Sequence, residues 1–108
     1  MNIRETQKAV AKCAEDHGWW DARPPNIPEK IALIHSEASE ALECFRDGDM
    51  QTRVRPDGKP EGFPTELADI VIRVLDLAEQ MGIDMSEEIR KKHEFNLTRP
   101  YRHGGKKC

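Results

Sequence analysis

A chain of 108 residues builds one domain around one modest core, and at that size it gains much by burying a face against a second copy. Charged residues make up 34% of it, yet 17 Lys and Arg against 20 Asp and Glu leave a formal net charge of only −3, which excludes a general nucleic-acid binder. No apolar run reaches membrane-spanning length, and the opening MNIRETQKAVAKCAEDHG is amphipathic rather than signal-like, so the expectation is a cytoplasmic protein with no membrane partner.

Four segments have helical periodicity and none alternates as a strand. The first runs from about Ile3 to His17 and stops at Gly18. The segment WWDARPPNIP, with three prolines and an aromatic pair, reads as a structured loop. A second helix is expected from Pro28, a residue pre-set for a first helical turn, to the RDGD segment. The linker MQTRVRPDGKPEGFP then reads as a turn or short hairpin, and as the most mobile part of the chain. A third helix is expected from about Pro64 to Gly82. The fourth opens at Asp84, with Glu87 at capping-box spacing, and fades near Phe95 or Asn96. The tail RPYRHGGKKC is too rich in Pro, Gly and charge to be core, and Arg90 to Cys108 holds seven Lys and Arg against the single acid Glu94. Cys13, Cys44 and Cys108, odd in number and widely spaced, indicate neither a disulfide framework nor a zinc site.

The informative feature is a pair of matched acid pairs. At about 100° per residue, Ile31, Ile34, Ala38, Ala41, Leu42 and Phe45 share one face of helix two, with Glu37 and Glu40 along its edge. In helix three Leu67, Ile70, Val71, Val74, Leu77 and Ala78 form the apolar face, and Glu66 and Asp69 lie three apart on the same relative edge. If the two helices pack antiparallel through their apolar faces, the four carboxylates converge beside the core. Like charges so placed raise one another's pKa unless a cation sits among them, and all-oxygen ligands suit Mg²⁺ or Mn²⁺. The competing reading is a solvated acidic face. A di-iron carboxylate centre is set aside, because none of His17, His35, His93 or His103 has an acid three residues before it.

The ordered set of SEASE, then 25 intervening residues between the last acid of that pair and the first of ELAD, then KHEFNLTR, resembles the MazG-like all-α nucleoside triphosphate pyrophosphohydrolases, a superfamily that includes dCTP pyrophosphatases. The likeness covers about Pro28 to Lys106. It implies a single MazG-like domain over residues 1–108, an all-α four-helix bundle with an irregular basic C-terminal tail. It further implies a homodimer or tetramer and Mg²⁺-dependent hydrolysis of a (d)NTP to the monophosphate and pyrophosphate. Carried over by position, Glu37, Glu40, Glu66 and Asp69 are the metal ligands and catalytic acids, and Lys92, Asn96 and Arg99 hold the triphosphate. Many members carry a further acid directly before the first pair, where this chain has Ser36. That departure keeps a catalytically silent nucleotide-binding module as the alternative.

Three further expectations concern single groups. Arg102, His103 and Lys106 in the Gly-rich tail have phosphate-binding chemistry. Trp19 and Trp20 need cover in their loop, either by packing or, with Trp20 the candidate, as a base-stacking wall. His35 is expected to pack on the rim of helix two.

Overall fold

A computed structural model describes residues 1–107, leaving Cys108 outside them. Helix α1 (Ile3–Asp16) begins where the Asn2 side chain accepts a hydrogen bond from the Glu5 N–H at 2.8 Å. Helix α2 (Ile27–Arg46) is capped in the same way, by Asn26 accepting from the Glu29 N–H at 3.1 Å, with Pro28 in its first turn. Strands β1 (Arg53–Val54) and β2 (Pro60–Glu61) pair antiparallel and turn the expected linker into a short hairpin. Helix α3 spans Phe63–Gln80 and helix α4 spans Met85–Leu97. The Asp84 side chain caps α4 at the Glu87 N–H, 3.3 Å away, but the Glu87 carboxylate pairs with Arg90 instead of reaching back, so the capping box is half made. In the tail, Arg102–Gly105 forms one turn, α5, with Arg102 and His103 both at positive φ.

The hairpin is set by one glycine. Gly62 sits at φ 117° against the Gln51 backbone, where a Cβ would overlap the Gln51 carbonyl oxygen. The Phe63 N–H then donates to the Asp49 carbonyl at 3.0 Å, so α3 begins directly beside the end of α2. Pairings between the helices fix their direction: Glu37 meets Arg73, whereas the later Glu40 lies with the earlier Glu66, so α2 and α3 run antiparallel. Helix α1 crosses the C-terminal end of α3, with Arg4 on Glu79 and Gln80 on Glu15, both at 2.8 Å.

The apolar core is small: Ala11, Trp20, Ala41, Leu75 and Ala78 are its buried members. Alongside them Gln7 is fully buried and fully used. Its amide donates to Glu79 at 2.9 Å and to the Ile83 carbonyl at 2.6 Å, and its oxygen accepts from the Met85 N–H at 3.1 Å. This one side chain ties α1 to the α3–α4 turn. Helix α4 leans on α1 and buries none of its residues, because its surface is largely charged. The described residues are therefore all-α apart from the hairpin, with three helices packed together and the fourth peripheral.

Burial corrects the expected orientation of α2 and α3. The residues of α2 that turn inward are Glu37 and Ala41, while Phe45 is 65% exposed and Ile31 and Leu42 are also open. On α3, Leu75 and Ala78 are buried, whereas Val71 is 54% exposed and Leu67 is open too. Glu37 is thus inside the helix–helix seam rather than along its edge. His35, expected to pack, is exposed.

Candidate functional site

Three glutamates meet where α2 crosses the first turns of α3. One carboxylate oxygen each from Glu37, Glu40 and Glu66 lie within 4.8 Å of one another. Glu37 is only 7% exposed. Its Oε1 accepts from Arg73 Nε at 2.8 Å, but its Oε2 is buried without a hydrogen-bond partner, and so is Glu66 Oε2. Burying an unpaired carboxylate oxygen costs about 1–3 kcal/mol or more, so the arrangement stores an unmet demand for positive charge. Asp69, one turn along α3 from Glu66, lines the same cavity.

The electrostatics follow from that crowding. Burial, reinforced by Glu40, Asp69 and Glu37, pushes the Glu66 carboxyl up to about 7. Burial also raises Asp69, with Glu37 adding to it and Arg73 and Lys59 opposing. Burial works the same way on Glu37, but the hydrogen bond from Arg73 leads a set of contacts that outweighs it and holds Glu37 below the usual carboxylate range. The donor set fits a hard divalent cation: the converging atoms are all carboxylate oxygens, and Glu37 and Glu66 each also have a buried oxygen with no hydrogen-bond partner.

Two cavities share the acids as a wall. The larger, about 690 Å³, opens between α1, α2 and α3 and is lined by Ala14, Trp20, Leu33, Ile72 and Asp76. The smaller, about 290 Å³, lies under the hairpin and is lined by Glu40, Glu66, Lys59 and Thr65. Glu37 and Asp69 line both. In the larger cavity Trp20 is 5% exposed and held from two sides. Its Nε1 donates to both Asp76 oxygens at 3.0 Å, and the Lys30 ammonium stands 4.5 Å from the ring centroid. Burial raises the Asp76 carboxyl, and the hydrogen bonds from Trp20 and Gln80 oppose it. Trp19, mostly exposed, also lines this cavity.

The structure thus brings together Glu37, Glu40 and Glu66, with Asp69 and Trp20 on adjoining walls. It does not bring Lys92, Asn96, Arg99, Arg102, His103 or Lys106 to either cavity of the single chain. Lys92 and Arg99 instead stand over the Phe95 ring, at 5.2 and 5.7 Å, and Arg102 stands 5.5 Å from the Tyr101 ring. The cations that do line the cavities are Arg73, Lys30, Arg53 and Lys59, which sequence reasoning missed. For Arg73 a signal existed, since it follows Asp69 by four residues and Glu66 by seven and so shares their helix face. Among the described residues no helix is long and apolar enough to cross a membrane. No protein-family model, curated protein or solved structure matches the chain.

Proposed function

We propose that the chain is a MazG-like nucleoside triphosphate pyrophosphohydrolase, with Glu37, Glu40, Glu66 and Asp69 as the ligands of Mg²⁺ or Mn²⁺. The observation that carries this reading is Glu37, a carboxylate more than nine-tenths buried, with one oxygen unpaired and two more glutamates converging on it. A solvated acidic face has no reason to bury its central member. When bound, the cation supplies charge neutralisation on phosphate oxygens and a more acidic water.

The chain's own groups account for the rest. The larger cavity takes the base and sugar, with Trp20 as an aromatic wall whose position Asp76 and Lys30 fix. The acids would hold the cation where the two cavities meet, since Glu37 and Asp69 line both, and the cation would supply the positive charge that the α-phosphate needs. A water oxygen attacks the α-phosphorus, a carboxylate of the cluster accepts the water's proton, and the bond to the α–β bridging oxygen breaks to release pyrophosphate. Arg73 keeps Glu37 ionised and oriented through the 2.8 Å contact.

The reading also includes a homodimer, or a tetramer built from dimers, joined through the exposed apolar stripes of α2 and α3. The radius of gyration of 16.4 Å supports it. A compact chain of this length has about 13 Å, so this one is open. Lys92, Asn96 and Arg99, with Arg102, His103 and Lys106, stay in the reading as phosphate-binding residues that act from a second copy.

The test is a panel of standard and modified (d)NTPs incubated with and without Mg²⁺, with the products separated by chromatography. Monophosphate and pyrophosphate in equal amounts, only with the metal, are expected. Tight nucleotide binding with no product from any member of the panel would select the silent binding module instead.

A further inference from the structure

We infer that Lys59, on the β1–β2 hairpin, is a substrate-binding residue that takes the diphosphate portion of the polyphosphate chain; this rests on the hydrolase reading above. The hairpin carries three cations, Arg53, Arg55 and Lys59, and two of them are neutralised within it. Arg53 pairs with Asp49 at 2.9 Å and with Glu61 at 2.5 Å. Arg55 pairs with Asp57 at 3.0 Å and with Glu61 at 3.3 Å. Lys59 has no ion-pair partner among the described residues, although Glu37, Glu40, Glu66 and Asp69 line the same cavity of about 290 Å³.

Lys59 is exposed and lines one small cavity with four carboxylates, and its side chain would settle onto them more easily if its backbone were free to move. Here it is not. The Arg55 N–H donates to the Lys59 carbonyl at 2.9 Å, and the Lys59 N–H donates to the Asp57 carboxylate at 3.1 Å. The double grip of Arg53 on Asp49 and Glu61, together with the close approach of Gly62 to Gln51, ties the hairpin back onto the end of α2. Lys59 and the carboxylates therefore line one cavity with no ion pair between them among the described residues. A cation alone would satisfy the acids and leave the lysine unused. A diphosphate would satisfy both, because polyphosphate oxygens are strong acceptors for a lysine ammonium and would also bind a cation held by the acids.

The two cavities give the substrate a direction. Trp20 marks the end for the base, the acids stand in the middle, and Lys59 marks the far end, where the departing pyrophosphate gathers negative charge. No helical register relates Lys59 to Glu66, which is why spacing along the chain does not reveal it.

The experiment compares the full-length protein with Lys59→Ala and Lys59→Arg, all in Mg²⁺. Steady-state hydrolysis of the best triphosphate and calorimetric binding of inorganic pyrophosphate are both measured. Lys59→Ala should raise KM and weaken pyrophosphate binding by about tenfold or more, with Lys59→Arg recovering most of each. The Mg²⁺ concentration for half-maximal activity should not rise in either variant, and thermal melts should confirm that both fold. Unchanged KM and unchanged pyrophosphate affinity in Lys59→Ala would overturn the assignment. Wild-type protein that releases no pyrophosphate from any triphosphate would overturn the hydrolase reading instead, and the calorimetric comparison would still decide whether Lys59 binds a diphosphate.

Discussion

The two sides of α2 are built the wrong way round for a self-sufficient domain. Its inward side buries Glu37 beside Ala41, whereas its outward side leaves Ile31, Leu42 and Phe45 in water. The first turns of α3 repeat the inversion, with Glu66 and Asp69 half-buried and Leu67 and Val71 exposed, before Leu75 and Ala78 turn inward. A lone chain would gain by exchanging the two, since burying a large apolar side chain is worth about 1.5–3 kcal/mol and burying an unpaired acid costs free energy. Under the proposed function each side takes an occupant: a cation on one, a second apolar surface on the other.

Removing an inward acid should do the most damage. Asp69→Asn or Glu40→Gln should lower Mg²⁺-dependent kcat/KM by at least about a hundredfold, while the metal-free fold stays as stable or gains slightly, because each removes one of several mutually repelling charges. Full metal-dependent activity in both variants, measured by pyrophosphate release, would remove the acids from the site. The outward side is tested next. Light scattering of the wild type should give a dimer or larger rather than the 12.4 kDa monomer, and Phe45→Asp together with Val71→Asp should weaken the association by about two orders of magnitude.

A smaller effect is expected at Arg73, which has a foot on each account. Arg73→Ala leaves both oxygens of buried Glu37 unpaired and should destabilise the metal-free protein by about 1–3 kcal/mol in urea denaturation. Saturating Mg²⁺ should return much of that loss, because the cation binds only the folded state. A loss that Mg²⁺ leaves untouched would mean that Arg73 matters only for packing.

The smallest effect is in the pH dependence. A carboxyl raised to about 7 in the fold, against an ordinary value of 4.5, favours the folded state most while it is protonated in both states, below the ordinary value. Its contribution is lost as pH rises from about 4.5 through about 7, where the unfolded chain has ionised and the folded one resists. The midpoint of thermal unfolding in chelator should therefore carry a downward component across that window. Glu66→Gln should remove that component, so that the difference between the two proteins grows from pH 4.5 to 7. Parallel curves would show that Glu66 is not held protonated.

Particular residues explain which parts of this were legible in the sequence. The helices were, because Pro28, Asp84 and Gly82 are local signals that act through neighbouring backbone groups. The acid pairs were, because ExxE and ExxD on helices place carboxylates three apart on one face. The facing of α2 was not. Apolar periodicity identifies a stripe that avoids water, but it does not say whether the stripe meets the same chain or another. Gln7 was equally silent, since a polar residue reads as surface until the turn at Ile83 and Met85 supplies its partners. Lys59 depends on the hairpin geometry that Gly62 sets, a contact across eleven residues that no periodicity encodes.

If the inward acids form one cation site, Mn²⁺ binding followed by electron paramagnetic resonance should reveal it. The signal of free Mn²⁺ should fall on adding wild-type protein at neutral pH, to a saturable stoichiometry per chain. Glu37→Gln and Glu66→Gln should each abolish that capture while the protein still melts cooperatively. Equal capture by wild type and both variants, or no capture by wild type, would contradict it.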